Sequence, residues 1–293
     1  MSWLRALLVL TVACGQPAGA GERERARPPV FREIELATAA GLSGLARDND
    51  GALWSVSERA GLIYRIVLDR KLRPTIQAFP IEQLAEKIDL EGIAVIGDGK
   101  FALGTEGRID GAANVLLAER RGAAIIITGV IALSEQVLGL KLPMNAGAEG
   151  MCGVGDKLLV GIEATGEDAG RRWAPLAVIE DGKVARVHRL WLMTATGKLS
   201  ALDCRRARDG TIEVLAIERH FEHTKILRFT LPAGPGDITP IEALDLGPIL
   251  KSRLNLEGIA WTEDGNVVAV TDNQWKKISG PSLLLVFAPG AVR

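Results

Sequence analysis

The sequence predicts an all-β fold, a β-propeller, and three observations carry that prediction. The first is a hairpin that recurs along the chain: "LSGLARDNDGALWSVSER" at 42–59, "DLEGIAVIGDGKFALGTE" at 89–106, "AEGMCGVGDKLLVGIEA" at 148–164, "LSALDCRRARDGTIEVLAIER" at 199–219 and "NLEGIAWTEDGNVVAVTDN" at 255–273. The residue before each small-apolar step is Ser43, Glu91, Glu149, Ser200 and Glu257, at intervals of 48 to 58 residues. Self-similarity at such a period is the mark of a repeated supersecondary unit. The second observation is that further strand-like runs fill the intervals, such as "GLIYRIVLD" and "TIQAFP" in the first or "TKILRFTLP" and "ITPIEALDL" in the fourth. A unit of four short antiparallel strands is a propeller blade.

The third observation concerns the ends. Only "SLLLVFAPG" follows the fifth hairpin, and "VFREIELA" at 30–37 precedes the first with no unit of its own. The N-terminal strand is therefore expected to complete the last blade beside 283–288, which removes the edges that invite aggregation. Five blades is the expected count and six the alternative; a pair of β-sandwiches is the competing architecture. A helical excursion is expected at "IEQLAEKI", 81–88, on the way into the second blade.

Residues 1–20 read as a signal peptide, with Arg5, an apolar run "ALLVLTVA" and small residues at Ala18-Gly19-Ala20. "LTVAC" offers a second reading, a lipoprotein signal ending before Cys14, so the protein is expected to be exported, periplasmic or secreted, either soluble or lipid-anchored through Cys14. The apolar run is too short for a retained span. Residues 21–29 form a linker and 30–293 one domain. Lys plus Arg number 35 against 36 Asp plus Glu, so the chain has no global basic excess with which to neutralise a nucleic acid. A monomer is expected. Of the remaining cysteines, Cys152 aligns with Ala94 and Cys204 falls one step later; in adjacent strands these side chains would face opposite ways, predicting two free, buried thiols.

The hairpins also place acids. The start of a blade's first strand and the end of its second lie at one end of the hairpin. Glu91, Glu149 and Glu257 from the starts, with Glu58, Glu106, Glu163, Glu218 and Asp272 from the ends, should surround one mouth of the central channel. Arg59, Arg108, Arg171, Arg172, Arg219, His220, His223, Lys276 and Lys277 follow these acids directly. Clustered carboxylates relieve their repulsion by protonation or by binding a hard cation such as Ca²⁺. The structural alternative is that each acid caps its own hairpin or pairs with the adjacent arginine. His220 and His223 lack further ligands for a transition-metal site, His188 lies in an alternating strand as a packing residue, and no nucleophile elbow or P-loop is present.

From 199 to 287 the wording resembles the phytase-like family described as "esterase-like activity of phytase". The matching elements are Ile217-Glu218-Arg219, Asn255-Leu256-Glu257-Gly258-Ile259-Ala260 and Thr271-Asp272-Asn273, and "DLEGIA" at 89–94 follows the same style. "TDNQWKK" departs from the family's aromatic-containing form. The resemblance implies an exported propeller that hydrolyses phosphate esters with calcium. On that reading Glu91, Glu149, Glu257 and Asp272 hold the metal, Glu218 and Arg219 are catalytic, and Arg219, Asn273 and Lys276 bind a small anionic substrate. The alternative is a non-catalytic envelope propeller that binds a ligand or protein and carries a structural cation, with Trp173, Trp191 and Trp275 as candidate contact aromatics.

Overall fold

A computed structural model describes residues 30–58, 60–84, 88–106, 112–220, 223–250, 254–273 and 280–293. The expected signal peptide, the linker, Arg59, Arg108, Trp275, Lys276 and Lys277 lie outside the described residues.

The chain is all-β, and its recurring hairpins are the inner halves of antiparallel meanders. After β1 (Phe31–Leu36) come β2 (Leu42–Arg47), β3 (Leu53–Ser57), β4 (Leu62–Leu68) and β5 (Pro74–Glu82). The next meander is β6 (Leu90–Gly97), β7 (Lys100–Thr105), β8 (Ala112–Arg121) and β9 (Ala124–Ser134). Then follow β10 (Ala148–Val154), β11 (Lys157–Ile162), a short added β12 (Gly166–Asp168), β13 (Arg171–Glu180) and β14 (Lys183–Trp191). The fourth is β15 (Lys198–Arg206), β16 (Ile212–His220), β17 (His223–Thr230) and β18 (Ile241–Asp245). The last holds β19 (Asn255–Trp261), β20 (Val267–Asp272) and β21 (Ser282–Phe287), and β1 supplies its outer strand, paired with β21 from Phe31↔Phe287 to Leu36↔Ser282. A two-residue parallel pairing, Ile81↔Ile125 and Glu82↔Ile126, joins the first two meanders at their rims.

The Asp-Gly turns are built alike. Asp48 accepts from the amides of Asp50 (3.2 Å) and Ala52 (2.9 Å), Asp209 accepts from Thr211 (3.0 Å), and the following glycines take φ of +87° at Gly51 and +88° at Gly210. Those are values an L side chain rarely adopts.

Five apolar layers make the core, each sandwiched between two consecutive meanders. Leu159, Leu176 and Val178 of the third pack on Leu199, Val214 and Leu227 of the fourth; Leu215 and Ile217 of the fourth meet Leu256 and Ile259 of the fifth; Val268 and Leu284 of the fifth meet Leu42 and Leu45 of the first. The inner strands β2, β6, β10, β15 and β19 contact one another in that order, and β19 packs back on β2. Their spacing explains the glycine after the marker residue. A Cβ on Gly92 would sit 2.3 Å from the carbonyl oxygen of Glu149, and one on Gly258 would sit 2.6 Å from the carbonyl carbon of Gly44.

Two expectations need correcting. Cys152 and Cys204 form a disulfide, with Cα atoms 5.7 Å apart. They belong to β10 and β15, which are inner strands of different meanders stacked face to face, so side chains on opposite faces are the ones that meet. At 81–88, residues 81 and 82 are strand, captured by the pairing with β9, and Gln83 turns the chain at φ +63°. Residues 85–87 lie outside the described residues, and no helix is formed by the described part of the segment. The described helices are single turns, α1 (Glu135–Leu138) and α2 (Gly247–Leu250). Among the described residues no helix is long and apolar enough to cross a membrane.

Candidate active site

Backbone geometry aims the acids. Four of the five inner strands carry a register shift at the marker itself, while in β2 Ser43 pairs with Val56 and the shift follows it, between Ser43 and Ala46. Leu90 pairs with Thr105 and Gly92 with Gly104, which leaves Glu91 as the extra residue; the same skip occurs at Glu149, Ser200 and Glu257. A β-bulge of this kind re-aims the side chain it carries. With Ser43 of β2, the markers of the five inner strands surround one end of the ring, and hydrogen bonds pass around it. Ser43 Oγ donates to the Glu91 carbonyl (2.6 Å) and to Glu91 Oε2 (3.3 Å), and Ser200 Oγ donates to the Leu256 carbonyl (3.0 Å).

The electrostatics show which acids converge. Burial first, then the charges of Glu257, Glu58 and Glu106, hold the Glu91 carboxyl well above the usual carboxylate range, with the Ser43 hydroxyl opposing them. Burial, then Glu91, Glu163 and Glu257, raise Glu149 in the same way against the pull of Arg219. Glu257 is pushed up to about 7 by burial, which Arg219 counters and Asp272 and Glu163 reinforce. Glu149 is 4% exposed, and among the described residues nothing donates a hydrogen bond to its carboxylate. A buried carboxylate without a donor favours whatever removes its charge.

One cation enters this cluster among the described residues. Arg219 donates through Nε to Glu257 Oε2 (3.2 Å) and through a terminal nitrogen to Oε1, a bidentate pair. Burial works against its charge, but Glu257, Glu149 and Glu163 outweigh that and raise its pKa. Asn255 Nδ2 donates to both Glu257 Oε1 (2.8 Å) and Asp272 Oδ2 (3.1 Å), so one amide ties two acids together. Glu163 lies at the edge, paired with Lys198 at 2.9 Å.

Seven of the eight expected acids thus belong to one mouth, and Glu218 differs. It is fully buried, and its two oxygens accept from the amides of Met193 (2.8 Å) and Thr194 (2.8 Å) and from the Thr194 hydroxyl (2.5 Å). A Cβ on Gly197 would sit 2.2 Å from Glu218 Oε1, so the loop 192–197 closes directly over the carboxylate. The catalytic role expected of Glu218 is not the one its contacts give it; it anchors that loop. Arg172 holds the same loop through the carbonyls of Ala195 (3.2 Å) and Gly197 (2.8 Å). Asn273 is a tie at the ring closure, accepting from the Gly41 amide (2.8 Å) and donating to the Gly280 carbonyl (2.6 Å). Trp173 is buried, and Trp191 is half-buried beneath the Arg171 guanidinium at 4.6 Å. His188 is buried in β14, its Nδ1 2.8 Å from the Gly236 carbonyl oxygen.

The expected four-carboxylate cage does not close as one ligand set. Among the described residues no group of three or more His, Cys, Asp or Glu side chains is arranged to hold a metal ion. Glu257 is taken by Arg219 and Asn255, and Asp272 accepts from Asn255. Glu91 and Glu149 are not taken up in this way: both are buried and held against their neighbours' charge. Sequence reasoning missed Asn255 as a bridging residue, although it is part of the quoted motif, and missed the bulges that aim the acids.

The motif residues Arg219, Asn255, Glu257 and Asp272 therefore form one connected network, and the family model for phytase-like proteins, "esterase-like activity of phytase", matches residues 37–274. The chain belongs to the phytase-like family. No curated protein matches it. Among solved structures, exo-β-1,3-galactanase from Phanerochaete chrysosporium with galactose is similar at TM-score 0.50 and 11% identity, covering 87% of this chain and 64% of that one. A PQQ-bound aldose sugar dehydrogenase from Streptomyces coelicolor gives TM-score 0.48 and 14% identity over 89% of this chain and 99% of that one. At such identities the galactanase likeness speaks to fold alone: this phytase-like chain shares an all-β, propeller-like architecture.

Proposed function

We propose that this phytase-like chain is a five-bladed β-propeller that hydrolyses phosphate esters at its acidic mouth with the help of a calcium ion. The cyclic contact of the inner strands and the pairing of β1 with β21 support the blade count. The observation that carries the activity is Glu149, a buried carboxylate beside Glu91 that lacks a donor among the described residues and lies within the field of Arg219. Both signs of charge thus meet at one opening, which suits a ligand that itself pairs an anion with a cation.

Glu91 and Glu149 would hold the calcium, the remaining ligands coming from water and the substrate's phosphate. When bound, such an ion offsets charge that develops on phosphoryl oxygens. Arg219 grips the phosphate in a bidentate fork, exchanging its pairing with Glu257 for the phosphate oxygens. Glu257, with its carboxyl near 7, is matched to take a proton from water at neutral pH. The catalytic role expected of Glu218 would thus fall to Glu257. Lys276, expected to assist with the phosphate, lies outside the described residues. The Cys152–Cys204 disulfide supports export to an oxidising compartment.

A second reading is a non-catalytic binding propeller with a structural cation. It is favoured by Glu218 and Asn273, motif residues whose contacts hold a loop and the ring closure. Turnover separates the two. Purified protein is assayed against inositol phosphates and a generic phosphomonoester, with calcium and with chelator. The enzyme reading expects calcium-dependent release of phosphate that Arg219→Gln abolishes; no turnover in either condition sinks it and leaves the binding reading.

A further inference from the structure

The inner strands start at the acidic mouth, so their last residues gather at the other end of the ring. Arg47 ends β2 there, and Val95 and Ile96 lie near the end of β6. A cleft of about 590 Å³ opens between these strands, the outer strands β8 and β9, and the β10–β11 and β13–β14 turns. That volume is within the range of small-molecule sites.

Its lining is divided by chemistry. Val95, Ile96, Leu117 and Ile131 face it, and they are only partly covered; Ile96 is 38% exposed. Val95 stands at the margin of the core layer between the first and second meanders, and Leu117 and Ile131 at that between the second and third, where the faces of neighbouring meanders part. On the polar side, Lys157 is already matched by Glu180 (3.0 Å) and Asp156 (3.4 Å), and Asp181 is exposed on the β13–β14 turn. Arg47 is different. It is half-buried, and among the described residues its guanidinium makes no hydrogen bond and no ion pair.

We propose that this cleft is a second binding site, for a small amphipathic monoanion, in which Arg47 takes the charged head and Val95, Ile96, Leu117 and Ile131 take the apolar body. A guanidinium presents a planar fork of donors that suits a carboxylate. Burying the ligand's hydrocarbon against four half-covered apolar side chains supplies the remaining affinity. A neutral molecule would leave the Arg47 donors without an acceptor, and a compact inorganic anion would leave the apolar wall wet. The site does not depend on the reading of the acidic mouth.

Octanoate and 1-octanol serve as probes, titrated calorimetrically into the full chain. Octanoate is expected to bind saturably at one site, and Arg47→Gln to weaken it tenfold or more. 1-Octanol should bind more weakly than octanoate and be unaffected by that change. Ile96→Asp, at a half-exposed position where the fold tolerates a polar residue, should remove binding of both probes. Circular dichroism and melting curves confirm that each variant is folded; if Arg47→Gln fails that check, Ile96→Asp alone decides. Absence of saturable octanoate binding, or binding in the folded variants equal to wild type, overturns the proposal.

Discussion

Removing the Cys152–Cys204 bond isolates one link between neighbouring meanders, and its effect can be calculated. The two cysteines are 52 residues apart in sequence. On the chain-entropy account, closing a loop of that length withdraws about 4 kcal/mol of freedom from the unfolded chain at 25 °C. The entropy of unfolding is about 2.1 cal/mol/K per residue, so for a chain of this size the loss corresponds to a fall in melting temperature of roughly 7 °C. Both sulfurs lie in the apolar layer shared by the third and fourth meanders, with Cys152 3% and Cys204 8% exposed. The free thiols would stay buried there as small apolar groups, so reduction alone leaves the packing filled. Melting is followed by calorimetry for the oxidised protein, the protein in dithiothreitol and the Cys152→Ala/Cys204→Ala variant. The reduced protein should melt several degrees lower, and the variant lower again by the volume it gives up. If reduction leaves the melt unmoved, and two thiols besides Cys14 titrate in denatured protein without reductant, the face-to-face stacking of β10 on β15 is wrong.

Other consequences test other parts of the ring. Asp203 accepts from the Trp261 amide (2.6 Å) across the junction of the last two meanders, and burial pushes its carboxyl up to about 7 against the pull of the Trp261 and Cys204 amides and of Arg47 and Arg205. The folded state then binds a proton that the unfolded state has released, so stability from this group is present below about pH 4 and is lost as pH rises to about 7. Urea unfolding of Asp203→Asn between pH 4 and 8 should show a flatter decline than wild type; parallel curves would contradict the shift. Glu218→Gln should cost about 1–3 kcal/mol, because one of the donors at Met193 and Thr194 loses its acceptor. Amide exchange at 193 and 194 should quicken in that variant while its response to calcium stays that of wild type; a lost calcium response with unchanged exchange would return Glu218 to the mouth.

Much of this was legible in the sequence for a physical reason. Strand alternation and Asp-Gly turns are local necessities, so the hairpins, the pairing of residues 31–36 with 282–287 and the common end of the acids could all be read from spacing. What stayed hidden depends on how one meander lies on the next. The disulfide was misjudged because adjacent strands within a sheet were considered in place of adjacent sheets. The bulges at Glu91, Glu149 and Glu257 leave no mark in composition, yet they decide where the carboxylates point. Glu218 was read as one more acid of the mouth, because nothing in "AIERH" announces the loop at 192–197 that takes both of its oxygens.

The central claim is that Glu91 and Glu149 are held as uncompensated carboxylates in order to seat a cation. Calcium titration of metal-free protein, followed by thermal melting, tests it most directly. An ion bound only by the folded state at a hundred times its Kd adds about 2.7 kcal/mol. Wild type should gain several degrees with calcium, while Glu91→Gln and Glu149→Gln should lose most of that gain and remain folded, since Gln keeps the size of the side chain and removes its charge. If calcium leaves wild type unmoved and both variants are more stable than wild type without metal, the acids are an unrelieved repulsive cluster and the cation has no place in the account.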